Sequence, residues 1–139
     1  MNDERHIIKV LGLLFEQARQ VILGDGPDGL RPSQFRVIDA VPPDRGITVS
    51  ELAERVGMTK QGIGQFVTQL TQAGYLITEA AADDRRMRIV RRTRLGSETT
   101  QQLAGSLREL EHHWAARVGQ RRYREFRAVL DEIAGTDTP

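Results

Sequence analysis

Two helix-start signals in close succession constrain this chain more than any other feature. In Thr48-Val49-Ser50-Glu51 the threonine hydroxyl is placed to accept from the Glu51 N–H while the Glu51 side chain reaches back, the reciprocal pattern of a capping box. The spacing predicts a short helix through Leu52, Ala53 and Val56. Gly57 follows, suited to the left-handed conformation that ends a helix. Thr59 is then a fresh N-cap, and its helix carries apolar positions at Ile63, Phe66, Val67, Leu70 and Ala73 before Gly74 closes it. Two short helices joined by a glycine-containing turn form a helix-turn-helix.

Helices are expected upstream of this pair. Residues 4–23 place Ile7, Ile8, Leu11, Leu14, Phe15, Ala18, Val21 and Ile22 at the three-four spacing of an amphipathic helix, which GDGPDG (residues 24–29) ends. A second helix opens at Pro32, whose missing N–H needs no partner in a first turn, and Pro42-Pro43 stops it. After Gly74 the period changes. Residues 75–79 read as a strand, 80–84 as a loop, and 87–93 as a returning strand with Met87 and Ile89 on one face. A long helix is expected after Gly96, with Leu103, Leu107, Leu110, Trp114 and Val118. Gly119 interrupts it, and a last helix carries Tyr123, Phe126, Val129, Leu130 and Ile133 before a frayed tail from residue 135.

Charge is concentrated where the period changes. The net charge is only +1, but residues 59–94 hold seven basic and three acidic groups, and six of those bases fall between Arg85 and Arg94. Such local asymmetry suggests an anionic partner for one region. Other classes are disfavoured. No run of about 18 apolar residues is present to span a membrane, and MNDERH lacks the layout of a signal peptide. The absence of cysteine rules out disulfides, thiol redox sensing and thiolate metal sites. The expectation is a cytoplasmic, nucleoid-associated protein with no membrane partner.

The helix after Thr59 has a polar side made of Lys60, Gln61, Gly62, Gly64, Gln65, Thr68, Gln69 and Gln72, with no acid. Glutamine amides pair with base edges, and threonine donates, accepts or touches a thymine methyl. Thr59, Lys60, Gln61, Gly62, Gly64, Gln65, Thr68 and Gln69 are therefore the candidate recognition residues. Gly62 and Gly64 each cost a helix about 1 kcal/mol relative to Ala, which is explained if the backbone must approach DNA closely. Arg85 and Arg86 stand at a loop tip that could probe a minor groove, with Arg88 behind them. Strand alternation prevents every arginine to Arg94 from facing DNA, so some should pair within the body. Asp84 is expected to support the tip by orienting an arginine through a salt bridge.

These stretches resemble the MarR (multiple antibiotic resistance regulator) family of winged-helix repressors. The resemblance is carried by LRPSQFRVI (residues 30–38), ITVSELAERVGMTKQGIGQFVTQL (47–70), AGYL (73–76) and DDRRMRIVRRTRLG (83–96). Asp84, Arg86, Thr93 and Gly96 fit the family's wing signature. Arg92 stands where the family usually has Leu, which bears on how the strand end packs, and Arg31 stands where it often has a Thr or Ser cap. The fold class implied is mainly α with a small β-hairpin wing (α+β). One domain (1–139) would hold a winged helix-turn-helix DNA-binding lobe (30–96) and dimerisation helices (3–24 and 97–134). The resemblance further implies a homodimer on double-stranded DNA with pseudo-palindromic half-sites. It also implies release by a small aromatic or phenolic effector bound between the dimer helices and the lobe.

His6 and Trp114 are candidates for lining such an effector pocket, with core or dimer packing as the plainer role for Trp114. His112 and His113 are adjacent on a helix and do not share a face, so no metal site is expected. No enzyme motif and no cofactor site is present. The alternative, a winged helix used only for protein–protein contact, would call for an apolar recognition face and no arginine-rich wing.

Overall fold

The computed structural model describes residues 6–136. The expected mostly helical α+β architecture is observed. The chain order is α1 (Ile7–Asp25), α2 (Pro32–Ala40), β1 (Ile47–Thr48), α3 (Val49–Val56), α4 (Lys60–Gln72), β2 (Leu76–Ala80), β3 (Arg88–Arg92), α5 (Arg94–Val118) and α6 (Gln120–Ala134). Residues 3–5, the expected beginning of the first helix, and residues 137–139 of the tail lie outside the described residues.

Local chemistry set the helix-turn-helix as the sequence suggested. Thr48 Oγ1 accepts from the Glu51 N–H at 3.1 Å, and Gly57 is left-handed at φ 75°. Thr59 Oγ1 accepts from the Gly62 N–H at 3.0 Å. One arm of the capping box differs: the Glu51 carboxylate accepts from the Thr48 hydroxyl at 3.2 Å. Ala73 lies exposed beyond the end of α4 instead of joining its apolar side. The long helix opens at Arg94, ahead of Gly96, with Thr93 as its cap.

The sequence pattern does not reveal β1. Its two residues show no period, and their partner strand is remote in the chain. Ile47 pairs with Val90 and Thr48 with Ile89, giving an antiparallel sheet in the order β1-β3-β2. This register places Val90, fully buried, on the core face of β3. Met87 and Ile89 share the opposite side, so that apolar pair marks the outward face, with Met87 exposed.

The core lies beneath the helix-turn-helix. Ile38, Leu52, Ile63, Leu70, Leu76, Val90 and Leu103 are fully buried, drawing on α2, α3, α4, β2, β3 and the root of α5. Each such side chain contributes about 1.5–3 kcal/mol on burial, which fixes α4 and the hairpin relative to each other. The outer helices differ sharply: α1 buries only Ile22, and α6 buries no residue. Gly119, at φ 98°, breaks α5 from α6. The elbow is braced by the Glu111 carboxylate, which accepts from the Tyr123 hydroxyl and from Arg127. Burial first, then the hydrogen bond that the hydroxyl donates to Glu111, pushes the Tyr123 pKa above its ordinary value, so the hydroxyl stays a donor.

Candidate nucleic-acid interface

Helix α4 presents the predicted polar side to solvent. Gln61, Gly64, Gln65, Thr68 and Gln69 together line one shallow depression on that face. Lys60 and Gln65 are exposed, and Gly62 and Gly64 are half-buried. Not every hydroxyl is free to read a base. Thr59 is committed to its cap, and the Thr68 hydroxyl donates to Gly64 O at 3.0 Å. Thr68 therefore offers a methyl group and acceptor lone pairs.

The two glycines have different reasons to be glycine. A Cβ on Gly62 would lie 3.1 Å from Thr59 Oγ1, crowding the cap. A Cβ on Gly64 would meet nothing within 4 Å. Nothing inside the protein requires Gly64, which leaves it as the position where a missing side chain serves an external partner.

The basic stretch divides as alternation demanded. Arg91 pairs with Glu79 and Arg94 with Glu98. Arg92 turns inward. Its guanidinium donates to Val41 O at 2.6 Å, Asp39 O at 3.0 Å and Thr100 Oγ1 at 3.0 Å. It thereby satisfies carbonyls at the C-terminal end of α2, where a cation is favoured. Desolvation lowers the Arg92 pKa and Asp39 opposes this. Among the described residues Arg85, Arg86 and Arg88 make no ion pair. Arg85 and Arg86 are exposed at the hairpin tip. Arg88 lines a cleft of about 380 Å³ between hairpin and helix, shared with Gly64, Thr68, Thr71 and Thr78. The Thr71 hydroxyl is buried there with no hydrogen-bond partner among the described residues.

Asp84 supports the tip by a route other than the expected one. Among the described residues no salt bridge joins it to a guanidinium; its Oδ1 accepts from the Arg86 backbone N–H at 2.9 Å, and its carbonyl accepts from Met87 N at 3.0 Å. The carboxylate closes a local turn, and both tip guanidinium groups are left without an ion pair among the described residues.

The pocket candidates separate. Trp114 lines an apolar groove between α1, α5 and α6 and donates from Nε1 to Gln17 Oε1 at 2.7 Å. His6 is exposed, just before α1, and forms no part of the walls that Trp114 shares. A different cavity, of about 610 Å³ between α1, α2 and α5, is walled by Phe15, Ile22, Phe35 and Leu107 together with Arg19 and Arg31. Sequence reasoning did not find it, because its walls are remote from one another in the chain.

A helix-turn-helix with an acid-free amide face, flanked by an arginine-tipped three-stranded sheet, defines the winged helix-turn-helix class. Comparison with known proteins narrows this. Residues 28–87 match the model of the MarR family. The structure of MarR shares the fold with a TM-score of 0.82 at 20% identity, covering 97% of this chain and 92% of that one. The transcriptional regulator PcaV from Streptomyces coelicolor, in complex with its natural ligand, gives 0.76 at 18% identity, covering 97% and 96%. A probable transcriptional regulator from Pseudomonas aeruginosa gives 0.77 at 17% identity, covering 95% and 99%. No protein of curated function matches by sequence. Over residues 28–87 the chain is thus similar to the MarR family, and along its length it shares the winged-helix fold of these structures. The family comprises transcriptional regulators, not enzymes.

Gly64→Ala should then act with opposite signs on stability and on binding. Helix propensity favours Ala by about 1 kcal/mol, so the melting temperature should rise by roughly 3 °C. DNA affinity should fall several-fold as the new methyl blocks close approach. Unchanged affinity in a titration with duplex DNA would remove Gly64 from the interface.

Proposed function

We propose that this chain is a sequence-specific transcriptional repressor. It acts as a cytoplasmic, nucleoid-associated homodimer on a pseudo-palindromic operator whose half-sites lie about one helical turn apart. Residues 30–96 form the DNA-reading lobe, and residues 3–24 and 97–134 the dimerisation helices. In this reading α4 enters a major groove with Lys60, Gln61, Gln65 and Gln69, while Arg85 and Arg86 reach the adjacent minor groove and Arg88 bridges the two. The observation that carries the proposal is the allocation of charge. Among the described residues Arg91, Arg92 and Arg94 are occupied within the body, while Arg85, Arg86 and Arg88, beside the acid-free face of α4, are not.

A small aromatic or phenolic effector is proposed to release DNA from the cavity between α1, α2 and α5. What supports this is the cavity's place between the outer helices and the lobe, and its apolar walls with arginines at the edge. PcaV, of the same fold, is known with its natural ligand bound. No helix among the described residues is long and apolar enough to cross a membrane.

The test separates positioning from reading. Arg86→Ala should weaken binding to all duplexes and lower the slope of log K against log salt by about one unit. Gln65→Ala should instead relax preference at one base pair, by about 1–3 kcal/mol. Fluorescence anisotropy over a salt series and a panel of single-base variants measures both. An unchanged slope counts against the wing, and an unchanged preference profile counts against the recognition face.

A further inference from the structure

Arg31 was notable in the sequence only as a poor helix cap, and the structure gives it another place. Its backbone N–H donates to Gln34 Oε1 at 2.9 Å, and its carbonyl accepts from the N–H groups of Gln34 and Phe35, both at 3.0 Å. The start of α2 is thus held without the Arg31 side chain. That side chain crosses to the recognition helix, where Nη2 donates to Gln69 Oε1 at 3.4 Å, both groups being exposed. Among the described residues the guanidinium has no carboxylate partner.

We infer that Arg31 is a DNA-positioning residue that fixes which way Gln69 reads. The inference rests on the proposal that α4 lies in a major groove. A guanidinium has donors only, so the amide of Gln69 must turn its oxygen toward Arg31. The amide NH₂ then faces outward, and together with the remaining N–H groups of Arg31 it makes a surface of donors alone. Such a surface suits phosphate oxygens or the O6 and N7 acceptors of guanine. Adenine needs the amide oxygen to accept from its N6 group, and Arg31 holds that oxygen. Gln61 and Gln65, on the same face, have no such partner among the described residues, so their amides stay free to read adenine. The pair therefore gives one end of the recognition face a different base preference from the other. It also adds a cation to the footprint outside the hairpin and outside α4.

The experiment uses duplexes selected by the native protein from a randomised pool, and compares native, Arg31→Ala, Arg31→Lys, Gln69→Ala and Arg86→Ala. Arg31→Ala is expected to weaken binding about tenfold and lower the salt slope by about one unit. At the base pair whose preference is lost in Gln69→Ala, it should also shift preference toward adenine. Arg31→Lys should keep the slope and still shift that preference, because a lysine is a point charge without the planar fork. The result that overturns the inference is a native slope and native preference in Arg31→Ala while Arg86→Ala lowers the slope. If the native protein selects no duplex, or Arg86→Ala also leaves the slope unchanged, the underlying DNA reading fails and the inference with it. The side chain is exposed, so an unchanged melting temperature in each variant shows that the fold is intact.

Discussion

Gly96→Ala is expected to lower the melting temperature by roughly 10 °C. An alanine at an exposed helical position ordinarily gains up to about 1 kcal/mol over glycine, so the sign alone is informative. At Gly96 a Cβ would stand 2.2 Å from the carbonyl oxygen of Tyr75 and 3.2 Å from its carbon. These are backbone atoms and cannot swing aside. The same carbonyl accepts from Thr93 N at 3.1 Å, and Tyr75 N donates to Leu70 O at 2.9 Å. The Thr93 hydroxyl donates to Gly74 O at 2.6 Å and accepts from Gly96 N at 3.1 Å. The end of α4, the start of β2 and the root of α5 thus meet in one hydrogen-bonded seam. Forcing a methyl group into it costs about 3 kcal/mol, at the upper end for overpacking. Thermal unfolding of Gly96→Ala beside Gly64→Ala provides the check, since the same substitution should move the two melting temperatures in opposite directions. A rise in both would show that α5 does not approach Tyr75 this closely.

That seam also shows why part of the fold was legible in the sequence. Caps are local: Thr48, Gly57 and Thr59 act on neighbours within three or four residues, so residue type and spacing were enough. Thr93 and Gly96 could be noticed as a signature, but their physical reason, contact with Gly74 and Tyr75, required the folded chain. The same limit hid β1, whose two residues are a strand only because Val90 and Ile89 lie alongside. It hid the cavity between α1, α2 and α5, and the reach of Arg31 to Gln69. At Asp84 the expected salt bridge gives way to a backbone contact. Charge suggested a guanidinium, whereas a carboxylate beside a tight turn met the nearest backbone N–H first.

Alternation supplied the best long-range inference available from the sequence. It required that the arginines of the returning strand divide between faces, without saying how. The division depends on carbonyls at the end of α2 and on Glu79 across the hairpin, neither of which the sequence could place. The outcome matters for electrostatics more than the count of bases does. Exposed, unpaired guanidinium groups add to the field felt by a phosphate, while those neutralised in the body chiefly hold the wing in position.

Ile8→Asp is expected to have the largest effect on function, by dividing the proposed homodimer. Helix α1 begins IIKVLGLLF, apolar on nearly every side, a pattern that calls for burial all round. Within one protomer that burial is absent: Ile8 is 68% exposed and Phe15 63%, while Ile133 of α6 is 79% exposed. Between these helices and α5 runs an apolar groove of about 780 Å³ whose walls include Ile8, Leu11, Phe15 and Phe126. A contiguous apolar surface of this kind marks an interface, and in the proposed homodimer a second copy of the same chain would cover it with like surface about a two-fold axis. A carboxylate at Ile8 would be buried unpaired at that contact, at a cost of several kcal/mol per ion. It remains in water in the monomer, so the protomer should stay folded. Light scattering at micromolar concentration should then fall from twice 15.6 kDa to 15.6 kDa. Two lobes linked in one dimer gain about 10²–10⁴-fold in avidity on a paired site. Ile8→Asp should lose that factor on a two-half-site duplex and keep native affinity for a single half-site. A variant that stays dimeric, or one that loses single-half-site binding equally, would show that this face does not join the protomers.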